Sequence, residues 1–335
     1  MGTPALLWAL ALAGLWLAPL PRGAAQATSA STSASRPAEP VLFQPGVRLD
    51  WSRREVLVDT QVVLRSGPLE FLACWPGKEH ESILRFRASA THVYQAAGLM
   101  GIDPGRPPTW NDERRAFDPP TGDLVDIALR WQEDGLQRSA DAYDWLREIE
   151  YARTPLPRPW YFCGSHILPG RTLSAESSGV GIALVDFPDS LISFSRQRPS
   201  RYGELWAEVN TPAVPPEGTA VRLVLRAARP LARSVDVDFR GVIRVDGRFC
   251  TPADLADLLK LARQRAPEAV QTLHAGGTLA ADRAELDSQL ECAGAPAGSW
   301  RWSIRPVSGG RKPDGIERRR PATQPAAPAP DGRPG

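Results

Sequence analysis

The densest group of chemically able side chains in the chain is Lys78-Glu79-His80-Glu81. Histidine and glutamate ligate metals and move protons near neutral pH. On a strand, Lys78 and His80 share one face and Glu79 and Glu81 the other; on a loop all four can converge. His92 follows twelve residues after His80, and His166 stands beside Gly164-Ser165, so His80, Glu81, His92 and His166 form a conceivable ligand set. No H-E-x-x-H spacing supports it. The favoured expectation is a polar network in which His80 and Glu81 hold a strand–helix junction. The alternative is a metal-dependent enzyme using Lys78, His80 and Glu81. Around Ser165 the chain reads Cys-Gly-Ser-His-Ile, not the G-x-S-x-G elbow of a serine hydrolase. Ser177-Ser178-Gly179 and Gly179-Val180-Gly181 lack the context of a phosphate loop and read as turns.

Tryptophans can stack on sugars or line grooves. Trp51, Trp75, Trp131, Trp145, Trp160 and Trp206 fall mostly in strand or helix patterns and are expected in the core. Trp110 lies in the Pro- and Gly-rich segment 103–122, long enough for a functional loop, and is the candidate ligand-binding aromatic. The four cysteines carry no CxxC spacing and allow three pairings.

The elements that must position these residues fall into two blocks. In residues 41–229, Val47–Asp50, Glu55–Asp59, Gln61–Leu64, Leu69–Trp75, Val125–Trp131, Trp160–Cys163, Gly181–Val185 and Val221–Arg226 read as strands. Ser89 caps a predicted helix over Ala90–Ala97, and Ser139 with Asp141 starts a second that carries Tyr143, Leu146 and Ile149. In residues 230–306, Val235, Val237 and Phe239 alternate with charge, and Val242–Val245 is closed by the Asp246-Gly247 turn. Thr251-Pro252-Ala253-Asp254 supplies an N-cap, an N1 proline and an N3 acid for a helix with Leu255, Leu258, Leu259 and Ala262 on one face. A strand over 269–273, a helix over Ala281–Cys292 and a strand over Trp300–Ile304 complete it. The expected fold class is α+β, a β-rich N-terminal domain followed by a small ββαβαβ two-layer sandwich. One disulfide per block then follows, Cys74 with Cys163 and Cys250 with Cys292.

The ends read differently. Residues 5–20 are an apolar run followed by Ala25-Gln26-Ala27, the pattern of a secretory signal peptide over residues 1–27, although the first residues hold no Lys or Arg. Sixteen apolar residues broken by proline fall short of the roughly 20 a spanning helix needs. No later run is comparable, so a periplasmic or secreted chain without a membrane span is expected. Residues 28–40 form a Ser/Thr/Ala/Pro tether, and residues 307–335, with Arg318-Arg319-Arg320, form a tail too poor in large apolar groups to order itself. Lys+Arg 40 against Asp+Glu 38 leaves +2 overall, which gives no electrostatic footprint for nucleic acid.

Several motifs occur in a specific order: Gly67-Pro68-Leu69-Glu70; Gly77-Lys78-Glu79-His80-Glu81-Ser82; Gly98 with Gly101-Ile102-Asp103-Pro104-Gly105; Pro120-Thr121-Gly122-Asp123; Trp160-Tyr161-Phe162-Cys163-Gly164-Ser165; and Pro215-Pro216-Glu217-Gly218-Thr219. Over roughly residues 45–225 this set resembles the YdjY-like domain of exported bacterial proteins, common in planctomycetes. The resemblance implies an exported soluble domain and imports no reaction. An iron–sulfur role finds no support, because only Cys74 and Cys163 lie in this block. Val242–Gly247 and Thr251–Ala262 are similar to the periplasmic domain of ExbD/TolR-type transport proteins. That likeness implies a surface for a partner protein or cell-wall component. The transmembrane helix with its proton-linked Asp is missing before it, so proton-coupled energisation does not carry over. The expected role is a non-enzymatic envelope binding or scaffold module without a cofactor, with a metal-dependent enzyme or an accessory subunit of an ExbD-like complex as alternatives.

Overall fold

Glu55–Val62, Leu124–Glu133 and Ala220–Ala227 are the three long strands; each buries one face, and Glu55–Val58 and Leu223–Leu225 are buried on both. A computed structural model describes residues 39–170, 172–196, 205–228, 234–276 and 280–305. The expected leader (1–27), nearly all of the tether (28–40) and the tail (307–335) lie outside the described residues.

In chain order the first region holds β1 (Val41–Gln44), β2 (Val47–Asp50), β3 (Glu55–Val62), β4 (Phe71–Cys74), β5 (Ser82–Phe86), α1 (Ala90–Leu99), β6 (Thr109–Asn111) and β7 (Ala116–Asp118). It continues with β8 (Leu124–Glu133), β9 (Leu136–Asp141), β10 (Leu146–Glu148), β11 (Trp160–Phe162), α2 (Ser174–Ser178), β12 (Ile182–Ala183), β13 (Ile192–Ser193), β14 (Ala207–Val209) and β15 (Ala220–Ala227). The main sheet runs β3-β15-β8-β11-β13-β12-β4-β5, and β5 pairs back onto β3 from Thr60↔Phe86 to Val62↔Leu84, so these strands close into a ring. β1 and β2 extend the sheet from β3, and β9 extends it from β8. A small closed sheet fills with its own side chains. The inward rows Val56–Leu225–Ile127 and Val58–Leu223–Leu129 are buried. Tyr143, Trp160, Phe194 and Trp206 form a chain of ring contacts at 5.2, 5.6 and 4.7 Å. Trp75, Trp145, Trp160 and Trp206 are buried and Trp131 half-buried, whereas Trp51 and Trp110 are exposed.

The second region holds β16 (Val235–Val237), β17 (Ile243–Val245), β18 (Arg248–Cys250), α3 (Pro252–Arg265), β19 (Gln271–Gly276), α4 (Ala280–Cys292) and β20 (Trp300–Arg305). Its separate sheet has the order β18-β17-β16-β19-β20, with β16, β19 and β20 parallel. Thr251 and Asp254 form the expected capping box of α3. The α+β class holds, with one strand more than the expected ββαβαβ order: β18 forms a hairpin with β17 across Asp246-Gly247. Phe239 is not a strand residue. The Asp238 carboxylate accepts from the Arg240 and Val242 N–H groups and turns the chain after Val237, leaving Phe239 in solvent.

Three further expectations change. The helix expected after Asp141 is a single 3₁₀ turn, Ala142–Trp145, because the chain leaves it to pair as β10 with β14, Leu146 opposite Val209. The 103–122 segment is not a bare loop, since β6 and β7 form a hairpin there. All four cysteines are free thiols. Cys74 on β4 and Cys163 at the end of β11 are separated by β12 and β13. Three strand spacings of about 4.8 Å make about 14 Å, twice what a disulfide spans. Cys250 lies in the core at 1% exposure while Cys292 is exposed at the end of α4.

The two regions meet through buried charge. Asp254, at the head of α3, lies within ion-pair distance of Arg158 (3.3 Å), Arg196 (3.1 Å) and Arg153 (3.7 Å) of the barrel. Arg248 pairs with Asp144, the Tyr161 hydroxyl donates to Gln264 at 2.9 Å, and Leu156 sits in the core of the second sheet. Burial acts to raise the Asp254 pKa, but Arg158, the Thr251 hydroxyl and Arg196 outweigh it and hold the carboxyl below its usual range.

Candidate functional site

Glu79–Glu81 is a 3₁₀ turn that leads into β5, with Lys78 at its start. The parallel neighbour β4 begins just after Glu70, whose backbone N–H donates to the Glu81 carbonyl at 3.1 Å. The two side chains meet as well. Burial, then the hydrogen bond and charge of Glu81, push the Glu70 carboxyl up to about 8 against the opposing pull of Lys78. For Glu81 burial works upward, but the hydrogen bond from Glu70 and the charges of Lys78 and His80 hold it low. At neutral pH the pair therefore holds one proton, with Glu70 as the acid. Lys78 Nζ lies 3.6 Å from Glu81, and Glu81 also takes His80 Nε2. From sequence, a polar network of His80 and Glu81 is expected at a strand–helix junction; the structure has these groups between two parallel strand starts. Glu70 was not among the sequence candidates. It belongs to the Gly67–Glu70 motif, but only the pairing of β4 with β5 places it beside Glu81.

The four proposed ligands do not converge. His80 is 70% exposed on its turn, His92 is in the first turn of α1, and His166 is exposed in the turn before α2. Among the described residues no group of three or more His, Cys, Asp or Glu is placed to hold a metal ion. Ser165 is engaged elsewhere. Its Oγ donates to the Asp189 carbonyl at 2.8 Å, lies 2.9 Å from Ser174 Oγ and accepts from the Ala175 N–H, acting as the cap that α2 lacks locally. Burial pushes the Cys74 thiol up to about 11 and the Cys163 and Cys250 thiols to about 12, so none is a thiolate at neutral pH. Trp110 stands on the β6–β7 hairpin, its indole N–H on Asp112 at 2.9 Å and its ring edge-on to Phe117.

A different site emerges on the outer face of the barrel, where β3, β15 and β8 run antiparallel. Residues in register share a face. One outward row is Asp59–Arg222–Arg130; in the next, Leu57–Val224–Ala128, Leu57 and Val224 are buried, and Leu57 is the one of the three that lines the groove. Ala220, and Gln132 opposite Gln137, form the other side. The result is an open groove of about 750 Å³. Arg53, Arg87, Arg130 and Arg222 line it against one lining carboxylate, Asp59. Asp59 is divided between Arg48 (3.5 Å) and Arg222 (3.4 Å). Behind the wall, Glu55 is divided between Arg130 (3.0 Å) and Arg226 (3.7 Å). Arg53 reaches Asp50 only at 3.9 Å, and Arg87 donates to the neutral amide oxygen of Gln61 at 2.9 Å. The strand expected over Val221–Arg226 carries Arg222, but the clustering of arginines across strands depends on register and was not legible in the sequence.

These features define an α+β protein: a closed β-barrel with an arginine-lined groove, docked to a smaller mixed sheet. The model of the YdjY domain matches residues 47–226, more than half of the 335 residues, and the chain belongs to that family. No curated protein and no solved structure matches it. No helix among the described residues is long and apolar enough to cross a membrane.

Proposed function

We propose that this protein is an exported, non-enzymatic binding module of the cell envelope, with the groove over β3, β15 and β8 as its binding face. The observation that carries this is the groove itself: about 750 Å³, within the range of small-ligand sites, and lined by four arginines with Leu57 and Ala220 among them. The side chains that suggest catalysis instead serve the fold. Ser165 caps α2, and Glu70 with Glu81 ties β4 to β5. The N-terminal run with Ala25-Gln26-Ala27 supports export. The C-terminal sheet is the partner-facing half in this proposal, a role in keeping with its likeness to the periplasmic domain of ExbD/TolR-type transport proteins.

Elemental analysis of the purified full chain, with and without His80→Ala, tests the non-enzymatic assignment. Substoichiometric metal in both proteins is expected, with the variant destabilised by no more than about 1 kcal/mol through loss of the exposed His80–Glu81 contact. One metal ion per chain that disappears in His80→Ala would establish the metal-dependent enzyme instead.

A further inference from the structure

We infer that the barrel groove binds a small polyanion, a ligand of about disaccharide size carrying at least two carboxylate or phosphate groups. The inference deepens the binding-module proposal and rests on it. The lining holds four guanidinium groups and one carboxylate. The acids nearby are already divided, each between two arginines: Asp59 by Arg48 and Arg222, Glu55 by Arg130 and Arg226. A guanidinium presents five N–H donors in a rigid fork matched to carboxylate and phosphate. A carboxylate shared by two such forks leaves donors of each for a further anion. Among the described residues no carboxylate pairs with Arg87, which enters the same transverse row through its backbone bond to the Asp59 carbonyl (2.9 Å). Arg87, Arg222 and Arg130 therefore stand along one line across the strands. Neighbouring strands are about 4.8 Å apart, which suits two or three anionic groups on one short skeleton. Leu57 and Ala220, apolar residues of the lining, receive the carbon skeleton.

Isothermal titration of the full chain with citrate, fructose 1,6-bisphosphate and neutral maltose tests the inference. The comparison protein carries Arg87→Gln and Arg222→Gln together. Arg130 is left intact because it covers the buried Glu55, whereas Asp59 keeps Arg48 when Arg222 is lost. The expected result is binding of citrate or the bisphosphate, weakened about tenfold or more in the double variant and by raised salt, with no change in melting temperature beyond a few degrees. Failure of both anions to bind, or equal binding by the double variant, would overturn it. Binding of maltose alone would also overturn it while leaving a binding groove in place. The metal test of the preceding section is independent of all three titrations.

Discussion

At the scale of single residues, the protonation of Glu70 bears on how β4 is held to β5. Its folded pKa is raised from 4.5 to about 8, so the stability it lends is full below 4.5 and is lost as pH rises through about 8. Glu81 runs the other way, and its contribution is lost only as pH falls below 4.5. Between these limits Glu70 sets the slope. Glu70→Gln keeps the neutral, hydrogen-bonding form at every pH. It should match the wild type near pH 5 and melt higher at pH 8.5, by about 2–4 °C for roughly 1 kcal/mol, a figure reduced for solvent screening. Thermal scans across that range decide it; parallel profiles for the two proteins would refute the shared proton. The Lys78–Glu81 cluster was legible as a group because its members are consecutive. Its further partner was not, since Glu70 reaches it only through a strand pairing.

At the scale of elements, two glycines of the family-bearing motifs, Gly105 and Gly122, mark places where backbone meets backbone. Gly122 sits at φ +122°, and a Cβ there would fall within the Phe162 carbonyl; Gly105 packs as closely against Thr121 and Gly122. Gly67 has φ +101° but open space where a Cβ would go. Gly122→Ala should therefore cost about 3 kcal/mol or more, through strain and a clash that cannot relax, while Gly67→Ala costs about 1 kcal/mol from backbone strain alone. Denaturant titration of the two variants measures the difference, and equal costs would show that the segment around 103–123 is not wedged against β11. Local signals served well where the cause is local. Ser89 caps α1 by accepting from the His92 N–H, and the Thr251/Asp254 box starts α3. They failed where tertiary pairing decides, as at Leu146–Glu148, whose apolar spacing suits a helix but whose partner is β14. The cysteine pairing failed for the same reason: assignment to one region says nothing about the strands lying between two thiols.

At the scale of the whole molecule, the two sheets are joined by charge that neither can leave exposed to an apolar neighbour. The Arg158 side chain is 4% exposed and that of Asp254 9%. Removing one partner of a buried pair typically costs about 3–5 kcal/mol. Asp254→Asn should accordingly lower the melting temperature by several degrees and broaden or split the transition by uncoupling the sheets. Because the Asp254 pKa is depressed below 3.8, its contribution is present above that value and is lost as pH falls through the lower folded value. Calorimetry below pH 4 should bring the wild type toward the variant; a variant that melts like the wild type at pH 7 would show the clamp to be idle. The near-neutral total charge conceals both this junction and the cationic groove, so composition alone pointed away from any charged ligand.

The closure of the ring has a kinetic consequence. β15 is the strand that joins β3 to β8, and the Thr60 hydroxyl reaches the Val221 carbonyl across 161 residues of chain. Nothing earlier in the sequence can substitute for it in that place. A growing chain therefore carries β3 and β8 with open edges until residue 227 has been made. Contacts of such long separation put barrel formation among the slow folding events, on the order of milliseconds to seconds. Until closure the barrel is an unclosed sheet, and the free edges of β3 and β8 are open to pairing with another chain.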